Sequence, residues 1–238
     1  QARDMEFLLS YAATLPGADT SRVAVMGFSW GGISEVVFQL RDPRVNAVVA
    51  LDGSIAYFWS LFRTAPSADL GRMDVPFLFL QSAPPPGTPP SSNVDTVFTF
   101  FDSLTYSDAY RVRFYQLQHQ NFGAHFSRLL PRGPGEADQA TVNYGYEQIA
   151  RYTLNFLNAY LRKNGDALAF LARSPEENDI RSGFATVDRK QALRPAATLL
   201  AFSRSLGAAG PAGAPAALAH IREANPSYRL AEDPVNSW

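Results

Sequence analysis

A chain of 238 residues, 46% hydrophobic and 18% charged, can bury a sizeable core and reads as one large domain. Its formal net charge of −1, with Lys and Arg scattered, excludes the basic footprint of a nucleic-acid or anionic-membrane binder. Having no cysteine, it has no disulfide, thiolate metal site or cysteine nucleophile, and no apolar run approaches the ~18 residues that span a bilayer.

In chain order, residues 2–14 predict an amphipathic helix ended by Pro16-Gly17. Residues 22–28 form a short apolar run of the kind buried on both faces of a parallel sheet. A helix follows over 30–40, with Ile33, Val36, Val37 and Leu40 on one face, and stops at Asp42-Pro43. Strands are expected at 45–51, 76–80 and 111–117, with helices near 55–63 and 94–104 and a long one over 142–163. This alternation predicts an α/β fold with a parallel sheet and helices on both faces. Residues 83–92 read as a Pro/Gly/Ser-rich loop, 207–216 as a flexible connector, and residues 166–238 as a helical extension of a core over 1–165.

The segment Gly27-Phe28-Ser29-Trp30-Gly31 lies between the first buried run and the helix that follows it. A serine on so sharp a strand-to-helix turn has a strained backbone and an exposed hydroxyl, and Gly27 and Gly31 are expected to remove side chains that would clash. The N-terminus of the following helix stabilises negative charge, and the Trp30 backbone N–H is a candidate oxyanion donor. A serine hydroxyl needs a base, and the histidines are His119, His125 and His220. His119 follows a predicted strand and so lies at the sheet edge where the serine turn opens; His125 and His220 are expected to be structural or surface residues.

The turn resembles the nucleophile elbow of α/β-hydrolases, which use Ser, an acid and His in that chain order. His119-Gln120-Asn121-Phe122 resembles the histidine loop of plasma-type platelet-activating-factor acetylhydrolases and their bacterial, dienelactone-hydrolase-like relatives. That branch takes its acid from the strand end after the elbow helix, here Asp52 in Leu51-Asp52-Gly53-Ser54. Most α/β-hydrolases take it one strand later, where the first acid is Asp95; Asp52 would then merely cap the helix near residue 55. Asp52 is the expected acid and Asp95 the alternative.

The resemblance covers roughly residues 1–165 and implies the second half of an α/β-hydrolase fold, four of its about eight strands. The family's second oxyanion donor comes from a loop upstream of the elbow. The chain is therefore expected to be an N-terminally truncated fragment, with one edge of the elbow strand unpaired. The expected function is a serine hydrolase cleaving a small-molecule ester through an acyl-enzyme, with Ser29, Asp52 and His119 as the catalytic set. A peptidase of the prolyl-peptidase type, or an inactive fragment or binding domain, are the alternatives. No cofactor or metal is implied, since there is neither a His-x-x-x-His pair nor a Gly-Lys-Ser/Thr phosphate loop. Tyr57, Phe58, Trp59 and Phe62 read as core, with an apolar substrate wall as the other option. Compartment, a secreted or periplasmic one included, and oligomeric state stay open.

Overall fold

A computed structural model describes residues 1–65, 68–84, 99–123, 137–193 and a few positions between 210 and 219. Its frame is a five-stranded sheet: β1 (Val23–Phe28), β2 (Val45–Leu51), β3 (Phe77–Ser82), β4 (Ala109–Phe114) and β5 (Ala185–Lys190), lying side by side in that order. The first four are parallel and β5 is antiparallel to β4. Parallel neighbours need long crossovers, and helices α1 (Ala2–Ala12), α2 (Trp30–Arg41), α3 (Trp59–Phe62), α4 (Thr99–Ser103), α5 (Gln139–Leu161) and α6 (Gly165–Ala172) occupy the connections and flanks.

Side-chain alternation along the central strands builds a core on each face of the sheet. Val48, Ala50, Phe77 and Phe79 face α2, α3 and α4, where they meet Val36, Phe62 and Phe100. Ala47, Val49, Leu78 and Leu80 face the other way, onto Ile149, Tyr152 and Phe156 of α5. Both faces being covered explains the uninterrupted apolar runs Ala47–Leu51 and Phe77–Leu80.

The predicted strands and long helices recur within a few residues of their expected bounds. The shorter helices differ more: α3 shrinks to Trp59–Phe62, and of the helix expected near 94–104 the described part is Thr99–Ser103. The expectation of helix alone beyond residue 165 is corrected by β5, which joins the main sheet. Its sequence, Ala-Thr-Val-Asp-Arg-Lys, has no apolar run because one edge and much of its surface face water. Cross-strand polar pairs hold it instead, Arg113 to Asp188 at 2.9 Å and Tyr115 to Thr186 at 2.7 Å. At the opposite side, β1 pairs with β2 alone among the described residues, and Met26 is 53% exposed there.

Candidate active site

Parallel pairing brings the C-terminal ends of β1 to β4 to one edge of the sheet. The Ser29 N–H donates to the Leu51 carbonyl at 3.0 Å, and the Asp52 N–H donates to the Leu80 carbonyl. The residues that leave these strands therefore start as neighbours, although they are far apart in sequence.

Ser29 sits between β1 and α2 with φ 56° and ψ −123°, a conformation that side chains rarely adopt. Its carbonyl accepts from the N–H groups of Gly32 and Ser54, both at 3.0 Å, which pins the turn from two sides. Gly27 is required as expected: a Cβ there would lie 2.5 Å from the Gly31 carbonyl carbon. The role expected of Gly31 is not borne out, because a Cβ at that position meets nothing within 4 Å. The close approach falls at Gly32 instead, where a Cβ would sit 2.6 Å from the Cα of Gly53.

His119 opens a short 3-10 turn, His119–Phe122, beyond β4. Asn121 locks that turn by accepting from the Gln118 N–H at 2.8 Å through its side chain, and Phe122 anchors it in the core against Phe114. The imidazole then stacks on Phe28, ring centroids 4.8 Å apart. Its Nε2 lies 2.9 Å from the Ser29 hydroxyl and its Nδ1 2.7 Å from an Asp52 carboxylate oxygen. Nδ1–H donating to the carboxylate leaves Nε2 free to accept the serine proton.

Asp52 also has an unusual backbone, φ 43°. Its carboxylate is mostly buried and accepts from both the backbone N–H and the hydroxyl of Ser82, each at 2.8 Å. The Asp52 hydrogen bond holds the imidazole of His119 above its ordinary pKa, against the opposing effect of burial. Asp95, His125 and His220 lie outside the described residues.

Two clefts lie near these groups, one lined by His119 and the other by Trp30, the residue after Ser29. One, of about 710 Å³, lies on the His119 side and is lined by Ser82, Tyr115, Gln116, Gln118 and Thr141 among others. The other, of about 320 Å³, lies on the Trp30 side among α1, α2 and α3. The aromatic run after Asp52 is divided between core and surface. Phe62 is core, packing on Trp59 and Phe100, whereas Phe58 is exposed and meets Trp30 edge-on at 5.0 Å.

Ser82, Ser54, Gly32 and Gly53 were not singled out from sequence. Ser82 ends the strand that neighbours β2, and the Ser54 hydroxyl stands 3.5 Å from that of Ser29. A strand-end serine and a Gly-Gly pair are too common to announce these contacts. Among the described residues no group of three or more His, Cys, Asp or Glu side chains could hold a metal ion. None of the helices described is long and apolar enough to cross a membrane.

No family model matches the chain, and no curated protein matches it. Among solved structures it is similar to the ferulic acid esterase from Streptomyces cinnamoneus, with a TM-score of 0.53 and 24% identity over 80% of this chain and 54% of that one. The chain thus spans about half the length of that esterase. With the sheet order and the serine turn already described, this likeness defines an α/β-hydrolase fold.

Proposed function

We propose that this chain carries the chemistry of a serine hydrolase that cleaves a carboxylic ester through an acyl-enzyme. The observation that supports it most is the continuous hydrogen-bonded line Asp52–His119–Ser29 at the N-terminus of α2. In this reading His119 Nε2 takes the hydroxyl proton as Ser29 Oγ attacks the ester carbonyl carbon. Asp52 holds the ring in the required tautomer and stabilises the imidazolium. The Trp30 N–H and the positive end of α2 stabilise the oxyanion. His119 then gives its proton to the departing alkoxide oxygen, leaving the acyl group on Ser29. A water that loses its proton to His119 attacks the acyl carbon, and the collapsing intermediate releases the acid as His119 returns the proton to Ser29 Oγ.

The neighbour is named as a ferulic acid esterase, which supports an ester over an amide as the bond cleaved. Asp52, at the strand end after the elbow helix, lies on the imidazole; this supports the acetylhydrolase-like branch over the prolyl-peptidase one. A fluorophosphonate probe is expected to label the protein and to fail on Ser29→Ala. Turnover of p-nitrophenyl acetate should fall on the order of 10³-fold or more in that variant. Equal labelling of both proteins overturns the proposal.

A further inference from the structure

The cleft on the Trp30 side has a composition that specifies what can enter it. Trp30, Ile33 and Val37 of α2 form one wall, and Phe58, Leu61 and Ala65 form the other. Among the described residues no charged side chain lines it. Its hydroxyls are already engaged: Ser34 bonds to the Trp30 carbonyl and to the Gln1 side chain, and Thr64 donates to the Leu61 carbonyl at 2.6 Å. Along the described lining a guest therefore meets mainly apolar surface. At about 320 Å³ the space exceeds what an acetyl group fills, and it falls within the ~300–1,000 Å³ common for small-molecule pockets.

The direction of proton transfer decides which half of an ester goes there. His119 Nε2 must reach the leaving alkoxide oxygen, so the alcohol lies on the His119 side, along the cleft lined by Tyr115, Gln116, Gln118 and Thr141. The acyl chain then extends away from His119. On that side lies Trp30, whose backbone N–H follows the nucleophile and whose indole edge packs on Phe58. Resting on the serine-hydrolase reading above, we infer that the cleft among α1, α2 and α3 is the acyl subsite. It selects an apolar acyl group of aromatic size, such as a 3-phenylpropanoyl group, over acetyl.

Two measurements test this. In the wild-type protein kcat/KM for p-nitrophenyl 3-phenylpropanoate should exceed that for the acetate on the order of tenfold or more. Ala65→Phe, which fills the cleft, should abolish the preference by lowering kcat/KM for the 3-phenylpropanoate to that for the acetate or below; Leu61→Trp, at an exposed position, is the second filler should the first fail to fold. Equal preference in wild type and a folded filled variant overturns the subsite. Independently of turnover, the neutral ketone 4-phenyl-2-butanone added to Ser29→Ala should shift the NMR signals of the Ile33 and Val37 methyls, and not do so when Ala65→Phe is added. Shifts without any esterase activity would retain the cleft as a binding site for an aromatic group and overturn both the serine-hydrolase reading and the cleft's role as an acyl subsite. Unchanged methyl signals in Ser29→Ala overturn the subsite.

Discussion

Gly32 and Gly53 meet backbone to backbone behind the Ser29 turn. A Cβ on Gly32 would lie 2.6 Å from the Gly53 Cα and 3.2 Å from the Ala50 Cβ. The two glycines belong to the segments that carry Ser29 and Asp52, so their contact sets how closely those two residues approach. Gly32→Ala should push α2 off the end of β2. The expected cost is about 1–3 kcal/mol of stability, read by urea denaturation, with a loss of fluorophosphonate labelling rate at temperatures where the variant is still folded.

Asp52→Asn should act on both rate and pH dependence. His119 must be neutral to accept the serine proton, and the Asp52 hydrogen bond raises its pKa. The acid limb of kcat/KM therefore sits above the ordinary imidazole value and should move to lower pH in the variant. The plateau rate should fall about 10²–10⁴-fold, as expected when a general base loses its orienting partner. A pH–rate profile with p-nitrophenyl acetate checks both effects; an unmoved acid limb would show that Asp52 does not set the imidazole.

Ser82→Ala removes the hydroxyl from Asp52 and keeps the backbone N–H at 2.8 Å. A hydrogen bond to a charged group contributes about 1.5–3 kcal/mol. With one of Asp52's two anchors on β3 retained, the loss in kcat should be roughly tenfold, well short of Asp52→Asn, and the unfolding free energy should fall by no more than about 1.5–3 kcal/mol. Steady-state kinetics of the two variants side by side tests that ranking.

Glu35 offers a test of stability in place of catalysis. It lies on the buried face of α2, 7% exposed, and its Oε2 has no hydrogen-bond partner among the described residues. Burial raises its pKa from 4.5 to about 7. An acid whose pKa is higher folded than unfolded stabilises fully below the unfolded value, and that stability is lost as pH rises through the folded one. The window here runs from pH 4.5 to about 7, and the effect is on the order of 3 kcal/mol. Glu35→Gln binds no proton in either state. Its unfolding free energy should fall less than that of the wild type between pH 4.5 and 8, by that amount; parallel curves would refute the assignment.

Much of the frame was legible because its signals are local. The runs Val23–Met26, Ala47–Leu51 and Phe77–Leu80 are apolar without interruption, the pattern that marks strands of a parallel sheet. The strand, serine and helix at Gly27–Gly31 are contiguous, so a five-residue window carries the turn. β5 escaped because an edge strand held by Arg113–Asp188 and Tyr115–Thr186 has no apolar run of its own. Gly31 was given the part that belongs to Gly32, because both are glycines in the same first helical turn. Only the position of Gly53 across the gap distinguishes them.

The sequence by itself determined the order of strands and helices, the placement of Ser29 on a strained turn, and the candidacy of His119 beyond a strand end. Each depends on periodicity or on residues within one turn of one another. Tertiary structure alone decided that Ser82 holds the Asp52 carboxylate and that Phe28 supports the His119 ring. Those contacts join residues 30 to 91 positions apart, and they exist because parallel register sets the ends of four strands along one edge. The serine turn is written in the chain; the groups around it are brought there by the sheet.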